Sequence, residues 1–71
     1  MNEYLVIIEE TPTGFSAYSP DIDGCVAAAE SREEVETLMN EALTYHLEML
    51  AEEGLPIPKP HTYSRQMRVA A

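Results

Sequence analysis

The sequence predicts a two-layer α+β domain: an antiparallel β-meander, one long helix packed across it, and a closing strand, in the order β-β-β-α-β. Three observations carry this. Residues 1–29 divide into short apolar runs separated by turn-forming clusters. Residues 35–50 place apolar side chains at three- and four-residue steps behind a helix-capping sequence. Residues 62–69 return to period-two alternation after a proline-rich connection. Seventy-one residues allow one domain, with a core over 3–60 and a closing strand or tail over 61–71.

The first strand is residues 4–8, YLVII. It is apolar on both faces, which predicts a central place in the sheet. Residues 9–14, EETPTG, form a turn in which Pro12 fixes φ and Gly14 permits positive φ. Residues 15–19 alternate with period two and complete a hairpin. Residues 20–24 make a rigid loop opened by Pro20 and closed by Gly24. Residues 25–29, CVAAA, suit helix or strand by propensity. The glycine before them and the helix cap after them select a third, short strand.

Ser31 and Glu34 form a capping box, and losing such a cap typically costs about 1 kcal/mol. Val35, Leu38, Met39, Ala42, Leu43, His46, Leu47 and Leu50 then make one apolar face containing one histidine. Glu33, Glu36, Glu41, Glu48 and Glu52 fall on the solvated side. Gly54 stops the helix, and Pro56 cannot continue it. Pro56, Pro58 and Pro60 keep the connection extended. In the last strand, Tyr63, Arg65, Met67 and Val69 alternate against Ser64, Gln66 and Arg68. If it lies parallel beside the first strand, the helix is a right-handed crossover and the strand order is 3-2-1-4.

Charge is unevenly placed. Residues 1–58 hold all 13 acids and only Arg32, a net −12, whereas Lys59, Arg65 and Arg68 give residues 59–71 a net +3. A body this acidic repels a nucleic-acid backbone and suits a basic protein surface, so no direct nucleic-acid binding is expected. The tail could pair with the acidic body of a neighbouring subunit or simply fray. A core this small favours added burial by oligomerisation, so a homodimer or tetramer is expected. Cys25 is the single cysteine, which excludes an intrachain disulfide and suits a reducing, cytoplasmic setting. Glu3 and the shortness of the first apolar run argue against a signal peptide, and no segment has the length of a membrane span.

Few residues offer chemistry, and neither a cofactor nor a metal site is expected. Asp21 and Asp23 share one loop with Glu9 and Glu10 in the neighbouring turn, and paired carboxylates suit Mg²⁺-dependent phosphoryl chemistry. Such a site needs acids converging from several strands, whereas the strand interiors here are apolar. The favoured reading makes Asp21 a loop cap that bonds nearby backbone N–H groups. Cys25 lacks an electropositive neighbourhood and reads as a core filler rather than a nucleophile. His46 has only His61 as a companion, so an interior or interface histidine is favoured over a metal ligand. Met39 reads as core, Met49 as an interface border, and Met67 completes a trio suited to an adaptable binding surface.

Tyr18-Ser19-Pro20-Asp21, then Gly24-Cys25, then Ser31-x-x-Glu34, with Gly54-x-Pro56-Ile57-Pro58-x-Pro60 after the helix, resemble the HicB antitoxin family of toxin–antitoxin pairs over residues 3–60. The resemblance implies a truncated ribonuclease-H-like core without catalytic carboxylates, and no enzymatic activity. It also implies a partner, HicA, a small basic mRNA-cleaving toxin whose RNA-binding surface and catalytic histidine the antitoxin covers. Many members add a C-terminal DNA-binding domain, and with the sequence read only to Ala71 no operator binding is expected of it. Asp23 stands where the family commonly has proline, and Ala29-Glu30 where it often has glycine and an acid. Partner-binding residues are then expected at Tyr18, Asp21, Asp23, Glu33, Glu36, Glu41 and Glu48. Pro20, Gly24, Cys25, Ser31, Glu34 and Gly54 are expected to be structural. The alternatives are an orphan homo-oligomeric interaction module and a degenerate nuclease using Asp21 and Asp23.

Overall fold

The computed structural model describes residues 3–70. Strands β1 (Ile7–Thr11), β2 (Gly14–Ser19) and β3 (Ile22–Ala29) are followed by helix α1 (Arg32–Glu52). The strands form one antiparallel sheet in the order β1-β2-β3. The helix packs on β3 and β2. The two-layer α+β meander with its helix is therefore the architecture expected from the sequence.

Both turns are tighter than expected. Pairing runs from Ile7↔Tyr18 to Thr11↔Gly14, which leaves Pro12 and Thr13 as the connection. Glu9 and Glu10 are thus strand residues with exposed side chains. Gly14 is needed for close approach and not for positive φ, which among described glycines occurs only at Gly24 and Gly54. A Cβ on Gly14 would sit 2.3 Å from the Ala29 carbonyl oxygen.

The second loop contracts to Pro20 and Asp21, because Ser19 already pairs with Ile22. The next pair is Tyr18↔Val26, so Asp23, Gly24 and Cys25 bulge out of the ladder. Gly24 takes φ +83°, a conformation strained for any other residue at this position. The bulge lets β3 bury both Ile22 and Cys25. These two join Ala17, Val35 and Met39 as the core. Tyr4, Val6, Ile8, Phe15, Leu43 and Leu47 pack around it while remaining partly exposed.

The helix ends are built as the sequence predicts. Ser31 is extended, at φ −126° and ψ 157°, and its Oγ accepts from the Glu34 N–H. The Glu34 carboxylate reaches back to the Ser31 hydroxyl, at 3.3 Å. At the other end Leu55 N–H donates to Leu50 O (2.9 Å) and Gly54 N–H to Ala51 O (3.2 Å), a Schellman closure.

The fourth strand expected over residues 62–69 is not formed, since residues 55–70 are neither helix nor strand. Ala71 of that segment lies outside the described residues. Consequently β1, expected at the centre, is an edge of the sheet. Two physical causes act together. Pro56, Pro58 and Pro60 supply no N–H for a ladder. The β2–β3 turn then grips residues 61 and 62 and carries the chain away from the open side of β1.

Candidate functional site

Asp21 sits in that two-residue turn, directly after Pro20, and its side chain has 0 % relative exposure. Its Oδ2 accepts from the His61 N–H at 3.0 Å and from the Thr62 N–H at 3.1 Å. Its Oδ1 accepts from the Thr62 hydroxyl and lies 3.2 Å from His61 Nε2. The Thr62 hydroxyl does most to hold this carboxyl below its ordinary pKa. Desolvation opposes it, while the two backbone N–H groups and the His61 ring add to it. Asp21 therefore ties down backbone forty residues away, where the sequence suggested N–H groups of its own loop. Tyr4 supports the same contact by donating its hydroxyl to Pro58 O, and Ser19 Oγ donates to Leu5 O at 2.8 Å.

The helix presents the acidic surface. Glu33, Glu41 and Glu48 are exposed along its outer face. Glu36 is exposed too but is engaged by Arg32, with Nε–Oε2 at 3.0 Å. Beside the acids runs a stripe that the sequence reading did not single out. Leu38, Tyr45 and Met49 share one flank at steps of seven and four, and are 42%, 74% and 37% exposed. Leu38 was expected within the buried face. It is exposed because the helix packs over β3 and β2, and this flank falls beyond them. A shallow hollow lined by Glu33, Glu34, Thr37, Leu38 and Glu41 marks the N-terminal end of the stripe.

On the other flank of the helix, the inner face of β1 is left partly uncovered. Val6, Ile8, Met39, Leu43 and Leu47 line a groove of about 540 Å³ there, rimmed by Glu3 and by the Arg32–Glu36 ion pair. On the sheet's outer face, Ile7, Tyr18 and Val26 stand in register across the three strands. Tyr18 and Val26 of that row are exposed.

The remaining candidates separate. Asp23 is exposed in the bulge while Asp21 faces the tail, so the two carboxylates do not converge. Cys25 is buried, its Sγ 3.8 Å from Ala42 O, and burial pushes the thiol pKa up, the opposite of nucleophile activation. His46 is half-buried on the inner side of α1. Met39 is core, whereas Met49 and Met67 are exposed. Among the described residues no group of three or more His, Cys, Asp or Glu is placed to hold a metal ion. No helix among them is long and apolar enough to cross a membrane.

Fold and surface together define a small α+β domain that presents an acid-flanked apolar stripe and an open groove. Residues 4–70 match the family model described as the HicB_like antitoxin of bacterial toxin-antitoxin system, and the chain belongs to that family. It is similar to a chain of the solved HicA3 and HicB3 toxin-antitoxin complex, with a TM-score of 0.70 and 38% identity, covering 84% of this chain and 70% of that one. It also resembles the crystal structure of antitoxin HicB3, with a TM-score of 0.67 and 40% identity over 80% of this chain and 42% of that one. An uncharacterized 14.9 kDa protein of Haemophilus phage HP1 (strain HP1c1), from its rep-hol intergenic region, is 30% identical over 56 residues. That match covers 79% of this chain and 42% of the phage protein, so the chain spans less than half the relative's length.

Proposed function

We infer that this chain acts as an antitoxin by binding a small basic, HicA-type mRNA-cleaving toxin and occluding its RNA-binding surface. The single observation that carries this is the outer face of α1. There Glu33, Glu41 and Glu48 stand beside the exposed Leu38, Tyr45 and Met49. Carboxylates of this kind steer a basic partner and mimic the charge of RNA phosphates, and an aromatic-centred apolar stripe supplies the desolvated anchor. Glu36 and Asp23 offer further acidic contacts, and Tyr18 offers a separate one on the outer face of the sheet. Asp21 contributes through the tail it holds. The likeness to a chain of a toxin–antitoxin complex supports the same partner class. The meander and helix serve as the truncated ribonuclease-H-like scaffold of the family, acting in the cytoplasm by steric and electrostatic cover rather than by chemistry.

The test is co-expression with the small basic protein encoded next to this chain, followed by purified binding. Growth should be restored and a stoichiometric complex recovered. Reversing Glu41 and Glu48 to lysine should slow association about tenfold or more at low salt, with a smaller effect at high salt. Unimpaired growth arrest, with no complex even at low salt, would sink the reading.

A further inference from the structure

The exposed flank of α1 carries two parallel lines of side chains, one apolar and one acidic. At about 100° per residue, Leu38, Tyr45 and Met49 fall within about 40° of one another around the helix axis. All three are exposed. Glu34, Glu41, Glu48 and Glu52 form a second line about 60° to one side by the same helical geometry. These four are exposed as well. Steps of seven and four residues build both lines, and neither Gly nor Pro interrupts the helix beneath them.

No base of the helix neutralises the acidic line. Arg32 is the one lysine or arginine of α1, and it is paired with Glu36 on the groove side. Thr37 and Thr44, on the far side of the line, donate their hydroxyls to Glu33 O and Asn40 O, at 3.1 and 2.8 Å, rather than to these carboxylates.

The spacing selects the shape of what can lie there. Seven residues of helix advance about 10.5 Å and four advance about 6 Å. A second helix laid lengthwise repeats the same steps along its own flank. An extended strand turns a side chain to the same face about every 7 Å, so one seated on Tyr45 brings none opposite Leu38. Charge disfavours a second copy of this chain, because residues 1–58 carry a net −12 in each.

We propose that the partner docks through one basic amphipathic α-helix laid lengthwise on α1, with its apolar side chains on Leu38, Tyr45 and Met49 and its Lys or Arg residues along Glu41, Glu48 and Glu52. The inference rests on the reading of this face as the toxin contact, and it adds the element with which the toxin makes that contact. Tyr45, the most exposed of the apolar three, fills the space between successive turns of the partner helix. The acids lie to one side of the apolar line, so they set which flank of the partner helix must be basic.

The experiment uses the full chain and the small basic protein encoded next to it. With leucine, tyrosine and methionine labelled in this chain and the partner labelled separately, NMR contacts from Leu38, Tyr45 and Met49 should fall on one partner segment with helical Cα shifts. The contacted partner residues should be spaced by seven and four. Tyr45→Ala replaces a side chain that is 74% exposed, so it should keep the circular-dichroism spectrum of the parent. It should raise the dissociation constant of the complex about tenfold or more. Contacts at alternate residues of a partner strand, contacts scattered over several partner elements, or unchanged affinity in Tyr45→Ala would each overturn the helix inference and leave the toxin-binding reading standing. Absence of any complex would overturn both.

Discussion

The body of this protein, β1 through α1, and its tail, residues 55–70, are fixed in place by different forces. Ala17, Ile22, Cys25, Val35 and Met39 hold the body, sharing one apolar core between two layers. The described tail contacts are polar and local: Tyr4 to Pro58 and Asp21 to His61 and Thr62. The two parts also carry opposite charge, −12 over residues 1–58 and +3 over residues 59–71. Hydrophobic burial is spread over many atoms and has no single point of failure. A carboxylate that gathers two backbone N–H groups and a hydroxyl is directional, and its hold depends on one side chain. The difference shows how a 71-residue chain can keep a stable body while controlling where a long segment points.

The comparison breaks hardest at Met39, which is 1% exposed and lies between helix and sheet. Met39→Ala should cost about 3 kcal/mol of body stability, read by urea unfolding. Ser31→Ala should cost the body about 1 kcal/mol through the lost helix cap, with His61 and Thr62 amide protection relative to global unfolding unchanged. The smallest effect on the body should come from acidification, which sharpens the distinction. Asp21 has a lowered pKa in the folded chain, so the stability it contributes is fully present above its unfolded value and lost as pH falls through the folded one. Amide exchange at His61 and Thr62 should therefore lose protection on descending below about pH 4, while core amides stay protected. In Asp21→Asn that pH dependence should vanish. Simultaneous loss of core and tail protection would mean that the two parts are one cooperative unit.

The elements held by periodicity and capping were legible in the sequence. The helix from Ser31 to its stop at Gly54, the meander and the burial of Cys25 and Met39 all follow from local residue patterns. The errors lie where tertiary geometry overrides local preference. Glu9 and Glu10 look like turn residues but sit in a hairpin whose outer positions need no apolar side chain. Residues 62–69 alternate like a strand, yet a strand needs a neighbour, and the latch at Asp21 denies them one within the chain. Asp21 itself was legible as a backbone-capping residue. Its partners were not, because no local pattern connects positions forty residues apart. The Leu38, Tyr45 and Met49 stripe was readable as a second period on the helix, but which flank the sheet covers depends on where β3 lies.

The position of the Asp21 latch also decides how the chain answers to mechanical load. The helix terminus, the β2–β3 turn and the start of the tail all gather at one end of the sheet. Tension applied through the tail reaches the hydrogen bonds at Thr62 and His61 first and the Pro58–Tyr4 contact next, before it reaches Gly54 and the helix. The tail would peel one bond at a time, whereas the three-stranded ladder would meet the same pull only after this slack had been taken up. Under such a pull the turn would yield before the core does.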